Sequence, residues 1–136
     1  MDDCIFCKIA KGEIPATFVY RDADFMAFLD ISPVGPGHVL IVPVLHAERL
    51  TDLPEDVLAA ELPLAARIAR AVLEATGATD FNLFNTNGKL SGQEVFHHHM
   101  HLIPRVAGDG LRVSIRPATY APGEAAALAT RIAAKI

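Results

Sequence analysis

The sequence predicts an α+β domain in which a five-stranded antiparallel sheet packs against one main helix. Short segments rich in β-branched and aromatic residues alternate with polar or Gly/Pro-containing turns, which is typical of strands joined as hairpins. One long segment instead carries apolar residues at helical spacing. The chain has 136 residues, 51% of them apolar, so it is long enough to bury one core without disulfide or metal staples.

The first part of the chain contains a short helix and three predicted strands. Residues 5–10 can form the N-terminal helix. Strands are expected at residues 17–21 and 25–30, and the polar turn between them predicts a hairpin. Two prolines and two glycines make residues 31–37 a loop. The Val-Leu-Ile-Val run within residues 38–43 predicts a buried strand.

The main helix is predicted over residues 52–76, with Gly77 as a left-handed cap. Pro63 lies inside this segment, where it would cost about 3 kcal/mol or kink the helix. A break into two helices near Pro63 is the alternative. The apolar residues at helical spacing are expected to form the buried face: Leu58, Leu62, Ala65, Ala69, Val72 and Leu73.

The second part of the chain begins with a strand at residues 80–85, which a glycine-rich loop at residues 86–93 connects to a last strand at 96–103. Pro104 should end that strand because it cannot donate to a ladder. An Ala-rich C-terminal helix is expected over residues 123–135 and would pack on the domain or on a partner subunit.

The charge balance and the N-terminus argue against two classes of partner. A formal net charge of −4 provides no basic footprint for a nucleic-acid polymer. No apolar run approaches the length of a membrane span, and the N-terminus lacks the basic and apolar regions of a signal peptide. We therefore expect a cytoplasmic protein with no membrane partner.

Four of the six histidines lie within five positions, at His97, His98, His99 and His101. In an extended strand, alternate side chains share a face, so His98 would lie opposite the other three. Three imidazoles on one face are costly as a packing surface, because each ring nitrogen needs a polar partner. Adventitious metal binding or a processing tag is the alternative, although a tag would lie at a terminus without apolar flanks.

This pattern resembles the signature of the histidine triad nucleotide-binding family, in which histidines alternate with apolar residues. Further segments resemble the family at matching spacings, namely residues 30–33, 36–38, 41–43 and 92–93. The resemblance implies a HIT-like fold and a homodimer. It also implies a single domain over residues 1–136, with a core at 4–105 and a C-terminal extension at 106–136.

The resemblance also implies a reaction, namely hydrolysis of purine nucleoside 5′-phosphoramidates or related phosphoanhydrides. Neutral imidazole is a good nucleophile and, once protonated, a good leaving group, because its pKa lies near 6.5. His99 would form a nucleotidyl-histidine that water hydrolyses to release a nucleoside monophosphate. His101 would contact the phosphate or assist the leaving group, and His97 would fix the strand beside His99.

The nucleotide-binding residues are also implied by the resemblance. The Asp30 carboxylate suits two ribose hydroxyls, although a turn residue before Ser32 is the alternative. The residues that match the base pocket are Phe6, Ile9, Ile14, Phe28 and Ile31. The glycine-rich loop can converge backbone N–H groups on a phosphate or be a plain connection. Its expected phosphate-side residues are Asn87, Gly92, Gln93, Glu94 and Val95.

Three residues of this region depart from the family pattern. Thr86 stands where many relatives carry an amide before the glycine-rich loop, with Asn85 and Asn87 beside it, so the side chain that would meet the phosphate is left open. Glu94 stands where relatives carry Ser or Thr, and its carboxylate is expected to turn away from the phosphate. His98 replaces an apolar spacer, so it needs a polar partner on the opposite face.

Cys4 and Cys7 have the spacing of half a tetrahedral zinc site. The resemblance implies that His46 and His97 complete the site, with zinc in a structural role. Two small buried hydrophobic residues are the alternative. His38 is expected to satisfy a loop carbonyl.

Two rival functions remain open. One is hydrolysis of dinucleoside polyphosphates, which shares the covalent step and differs in the leaving group. The other is a nucleotide- or zinc-binding regulatory module with little turnover.

Overall fold

A computed structural model, which describes residues 3–136, contains five strands in one antiparallel sheet of order β1-β2-β3-β5-β4. The predicted α+β class is confirmed, and the first two residues of the expected 1–136 domain lie outside the described part. The elements in chain order are α1 (Ile5–Ala10), β1 (Phe18–Arg21), β2 (Phe25–Leu29), β3 (Val39–Pro43), α2 (Glu55–Thr76), β4 (Asp80–Asn85), β5 (Met100–Arg105) and α3 (Glu124–Ala133). Single 3-10 turns lie at Leu50–Asp52 and Lys89–Ser91.

Both faces of the central strands are covered, because one helix packs on each side of the sheet. On one face, Met100 and Leu102 of β5 belong to the same apolar cluster as Leu64 and Ile68 of α2. On the other face, α1 covers the alternate residues of β2 and β3. Since neighbouring residues of a strand point to opposite faces, His101 must lie on the α1 side. This register places the candidate site between α1 and the sheet.

The main helix forms as predicted but begins at Glu55 rather than at residue 52, and the alternative of a break near Pro63 is wrong. It continues through Pro63 without a break, and Pro63 is exposed, so water can reach the Ala59 carbonyl that the missing N–H leaves free. The expected buried face is also partly wrong, because Leu62 is 58% exposed whereas Leu64 and Ile68 are buried. The sequence offers two overlapping apolar stripes, and packing against β3 and β5 selects one of them.

The histidine segment is less regular than predicted. The strand begins at Met100, and residues 97–99 precede it without pairing, apart from the His98 N–H that donates to the Ala47 carbonyl at 2.7 Å. Pro104 does not end the strand, since it pairs with Phe81 of β4. β3 follows β5 only as far as Leu102. Pro104 therefore has a neighbouring strand on one side only, which tolerates a missing donor.

The C-terminal helix forms, but the expectation that it packs on the domain is wrong. None of its residues is buried, and Ile132 is 53% exposed. Packing on a partner subunit stays a prediction. Among residues 3–136, none of the helices combines the length and the apolar character that crossing a membrane requires.

Candidate functional site

A cavity of about 560 Å³ lies between α1, the end of β2 and the histidine segment. Its walls include His99, His101 and His38. The other predicted site residues that line it are Phe6, Ile9, Ile14, Phe28, Asp30, Ile31, Gly92, Glu94 and Val95. A separate groove of about 340 Å³ between β1 and α2 is lined by Tyr20, Arg67 and apolar residues. None of the described residues that line this groove is a histidine, a cysteine or a carboxylate.

His99 presents an unprotonated ring nitrogen at the cavity wall. Its Nδ1 lies 2.7 Å from the His97 carbonyl oxygen, and a carbonyl can only accept, so Nδ1 carries the proton. In a neutral ring, Nε2 then keeps its lone pair. The ring is 6% exposed and meets the Phe6 ring edge to face at 5.0 Å. Burial lowers the pKa of His99, which favours the neutral, nucleophilic form.

A chain of hydrogen bonds sets the proton positions on His38 and His101. The Val34 N–H donates to His38 Nδ1 at 3.1 Å, so His38 carries its proton on Nε2. That nitrogen lies 2.9 Å from His101 Nδ1 and donates to it. His101 therefore has its own proton on Nε2. The expectation for His38 is wrong, because its free nitrogen accepts a backbone N–H and its other nitrogen contacts His101 rather than a loop carbonyl.

Burial lowers the pKa of both rings, and the neighbouring His99 and His38 add to this for His101, whose pKa falls to about 4. The Asp30 carboxylate, 3.5 Å from His38 Nε2, opposes the shift. Its other oxygen accepts the Ser32 N–H at 2.9 Å. The result is a pair of neutral imidazoles beside a carboxylate on the cavity wall.

His98 points to the opposite face, as the alternation predicts, and its partner is Glu61 of α2. The two side chains are each 1% exposed, and His98 Nε2 lies 2.9 and 3.1 Å from the two carboxylate oxygens. The Asn85 amide contacts His98 Nδ1 at 3.3 Å and donates to the His99 carbonyl at 3.0 Å. Sequence reasoning missed Glu61. The available signal was a carboxylate on the apolar stripe of a helix, combined with an orphan histidine on the sheet.

Two predicted phosphate-side residues do not line the cavity. The Gln93 side chain is 4% exposed; it accepts the Gly88 N–H at 2.7 Å and donates to the carbonyls of Glu48 and Val95 at 2.7 and 3.1 Å. Asn87 accepts the Leu50 N–H and donates to Asn85. Both side chains hold the shape of the glycine-rich loop. Gly92, with φ +94°, brings bare backbone to the cavity wall.

Beside the cavity, four side chains converge as the sequence predicts: Cys4, Cys7, His46 and His97. His97 Nδ1 lies 3.4 Å from the Cys4 sulfur, 3.6 Å from the Cys7 sulfur and 3.1 Å from His46 Nδ1. The Cys7 sulfur lies 3.4 Å from His46 Nδ1. A tetrahedral zinc ion would separate two nitrogens by about 3.3 Å and a nitrogen from a sulfur by about 3.6 Å.

The orientation of His97 also fits a metal. Its Nε2 donates to the Pro43 carbonyl at 2.8 Å, which leaves the Nδ1 lone pair directed at the two sulfurs. Both cysteines are free thiols rather than a disulfide. The four residues could therefore hold one divalent ion with soft and nitrogen ligands.

The chain folds as an α+β domain, and its antiparallel sheet carries alternating histidines beside a cavity. These features define a histidine triad protein. A family model described as the HIT domain matches residues 11–108, and the chain belongs to the HIT family.

Relatives with named activities are similar over much of the chain. An adenosine 5′-monophosphoramidase from Schizosaccharomyces pombe is 37% identical, with 98% of both chains covered. One from Saccharomyces cerevisiae is 44% identical over 75% of this chain and 62% of its own length.

Solved structures share the fold. A HIT family protein from Bacillus anthracis superposes with a TM-score of 0.92 at 36% identity, covering 99% of this chain and 98% of that one. A zinc-bound histidine triad family protein from Mycobacterium smegmatis gives a TM-score of 0.77 at 37% identity, with 98% of both chains covered.

Proposed function

We propose that this protein hydrolyses purine nucleoside 5′-phosphoramidates or related phosphoanhydrides and releases a nucleoside monophosphate. The observation that carries the proposal is the His99 ring, whose unprotonated Nε2 belongs to the wall of a nucleotide-sized cavity. The names of the two yeast relatives, both adenosine 5′-monophosphoramidases, support the same class of reaction.

The cavity walls suit the two ends of a nucleoside. Asp30 has one carboxylate oxygen that bonds Ser32, which leaves the other to accept from ribose hydroxyls. A flat base would lie against the apolar part of the wall, which selects weakly among bases because it offers few polar contacts. The residues of that part are Phe6, Ile9, Ile14, Phe28 and Ile31.

The reaction proceeds in two displacements. His99 Nε2 attacks the α-phosphorus, and the bond from phosphorus to the leaving amine or phosphate breaks. His101, which carries its proton on Nε2, donates a hydrogen bond to the leaving atom, and the leaving group takes up its proton from solvent. Water then attacks the phosphorus, the phosphorus–nitrogen bond to His99 breaks, and the nucleoside monophosphate leaves. The proton of the attacking water passes to solvent, and His101 keeps its own.

The glycine-rich loop would hold the phosphate. Gly92, Glu94 and Val95 line the cavity and offer backbone groups to an anion. Gln93 and Asn87 act on the phosphate indirectly, because their side chains hold the loop that presents those backbone groups.

We further propose that Cys4, Cys7, His46 and His97 bind one structural zinc ion. The ion would hold the His97 ring, and the His97 carbonyl in turn fixes the proton on His99 Nδ1. The zinc-bound relative supports this assignment. A reducing compartment keeps both thiols available as ligands, so we place the protein in the cytoplasm.

We also propose a homodimer, because the apolar face of α3 and the outer edge of β4 need a partner. The division into a core at residues 4–105 and an extension at 106–136 stays a prediction.

The covalent step can be tested directly. Rapid quenching during turnover of adenosine 5′-phosphoramidate, followed by peptide mass spectrometry, should locate an adenylyl group on His99. An adduct on another residue would refute the assigned nucleophile. Parallel assays with a dinucleoside polyphosphate distinguish hydrolysis of phosphoramidates from hydrolysis of dinucleoside polyphosphates. Nucleotide binding without turnover of either compound would favour the regulatory module.

A further inference from the structure

The charges on the cavity wall are unbalanced. Among the described residues that line the cavity, Asp30 and Glu94 are acidic, and none is a lysine or an arginine. The histidines do not correct the imbalance. The Val34 N–H bonds His38 Nδ1, and His38 in turn bonds His101, so each ring carries a single proton. The wall therefore presents two negative charges to a substrate whose phosphate is itself an anion.

The two carboxylates differ in how they are held. Asp30 bonds the Ser32 N–H and lies beside His38, which suits its proposed place at the ribose. The Glu94 side chain is exposed, and no hydrogen bond or ion pair ties it to another of residues 3–136. Its backbone is nevertheless fixed, because the Gln93 amide donates to the Val95 carbonyl across it. The Glu94 carboxylate is thus an unpaired negative charge on a part of the cavity wall whose backbone is held by hydrogen bonds.

The position of Glu94 relates it to the leaving group. In the proposed placement the nucleoside lies along α1, the end of β2 and Asp30, and the phosphate lies between His99, His101 and the backbone of Gly92, Glu94 and Val95. A leaving group bound to that phosphate passes the same loop residues, and Glu94 is the charged side chain among them. A leaving group that passes this loop meets an unpaired carboxylate, which attracts a cation and repels an anion.

We propose that Glu94 selects substrates by the charge of the leaving group, so that the protein prefers nucleoside phosphoramidates of positively charged amines. Phosphoramidates of acidic amines and polyphosphates, which carry negative charge past the same loop, are poor substrates. This inference rests on the proposed hydrolysis and adds the substrate class to it. Glu94 acts as a specificity-determining residue, since the nucleophile His99 and the hydrogen-bond donor His101 lie on the histidine segment.

The test uses three adenosine 5′-phosphoramidates whose amines have the same three-bond backbone. Their amines are 1,2-diaminoethane, propylamine and β-alanine, which place an ammonium nitrogen, a methyl carbon and a carboxylate carbon at the same number of bonds from phosphorus. The kcat/KM of the wild type should fall in that order. In Glu94→Gln the ratio between the cationic and anionic substrates should shrink about tenfold, as expected for a unit charge at partly screened contact distance. Glu94→Lys should reverse the order.

The matched control is Glu13→Gln, which removes another exposed carboxylate near α1 that does not line the cavity. Its ratio should equal that of the wild type. Raising the salt concentration should reduce the wild-type ratio and leave Glu94→Gln unaffected. An unchanged ratio in Glu94→Gln, or an equal loss in Glu13→Gln, would overturn the proposal.

A binding measurement separates this proposal from the hydrolysis it rests on. The Kd values of the three compounds are measured on His99→Ala and on His99→Ala/Glu94→Gln, neither of which depends on turnover. Charge discrimination that disappears with Glu94 supports the selective role even if the wild type cleaves none of the compounds. Discrimination that persists without Glu94, or never exists, counts against it even if all three are cleaved.

Discussion

The two faces of the histidine segment use the same side chain for opposite purposes. On the α1 side, His99 keeps an unprotonated nitrogen on the wall of a cavity. On the α2 side, both nitrogens of His98 are engaged, one by Glu61 and one by Asn85. A ring with an available lone pair can react, whereas a ring with both nitrogens bonded can only stabilise. The neighbours, rather than the residue type, decide between the two.

The largest expected effect is on the cavity face. His99→Ala should lower kcat for adenosine 5′-phosphoramidate by about 10³-fold or more, because no other group replaces the covalent nucleophile. Binding of adenosine monophosphate should stay measurable by calorimetry. An unfolding curve like that of the wild type is the control. If His99→Ala turns over near the wild-type rate, His99 is not the nucleophile, and the two faces do not differ in the way described.

On the other face the expected effect is on stability. Glu61→Ala should lower the free energy of unfolding by about 3 kcal/mol, because it leaves His98 buried without its partner. Replacing both partners, as Glu61→Leu/His98→Leu, should recover most of the loss, since an apolar pair needs no hydrogen bonds. Urea titrations give these values, and kcat is measured on the folded fraction. A kcat that falls as far as in His99→Ala would show that the two faces are not separable.

The cluster of Cys4, Cys7, His46 and His97 is connected with the cavity face through His97. Cys4→Ser should abolish the binding of about one zinc per chain, measured by metal analysis. It should also cancel a stabilisation of about 2.7 kcal/mol at free zinc a hundredfold above Kd. The matched control is Glu13→Gln, which should retain the metal. Wild-type protein that is metal-free after growth with zinc, and equally stable with and without added zinc, would exclude a structural ion.

The smallest expected effect is a pH dependence that belongs to the cavity face. Burial holds the pKa of His101 at about 4, below its ordinary 6.5. As the pH falls below 6.5, the unfolded chain takes up a proton before the folded one does. The stability is therefore complete above pH 6.5 and declines towards pH 4, by about 1–2 kcal/mol after allowing for the partial exposure of the ring.

The measurement is the free energy of unfolding at pH 7 and pH 5 in the wild type and in His101→Asn. The difference between the two pH values should be smaller in the variant, because the shifted group is gone. His38 and His99 shift in the same direction, so some pH dependence should remain. An identical slope in both proteins would contradict the assignment to His101.

Part of the candidate site was open to prediction because it depends on spacing within the chain. The alternation of His97, His99 and His101 follows from the two-residue period of extended backbone, and it survives although only His101 lies in β5. The Cys4-x-x-Cys7 spacing likewise indicated half of the metal cluster. The helix N-terminus could not be placed as well, since the 3-10 turn at Leu50–Asp52 competes with α2 for the same residues.

The residues that were missed depend on contacts between distant parts of the chain. Glu61 and His98 are 37 positions apart, and His38 and His101 are 63 apart. Glu61 differs locally from an ordinary helix residue in that it lies on an apolar stripe, but nothing local indicates which residue is its partner. The exposed position of Leu62 is a case of the same kind, because only the sheet decides which of two apolar stripes becomes buried.

The sequence by itself determined the fold class, the face of each triad ring and, by ligand spacing, two of the four residues that could hold a metal, whereas the family resemblance supplied the other two. Periodicity and ligand spacing are properties of the extended or helical backbone, so they can be seen before the chain folds. The tertiary structure decided which nitrogen of each histidine carries the proton. It also decided which ring has both nitrogens hydrogen-bonded and which keeps a nitrogen with an available lone pair. Those outcomes depend on hydrogen-bond partners that only the packed sheet and helices bring together.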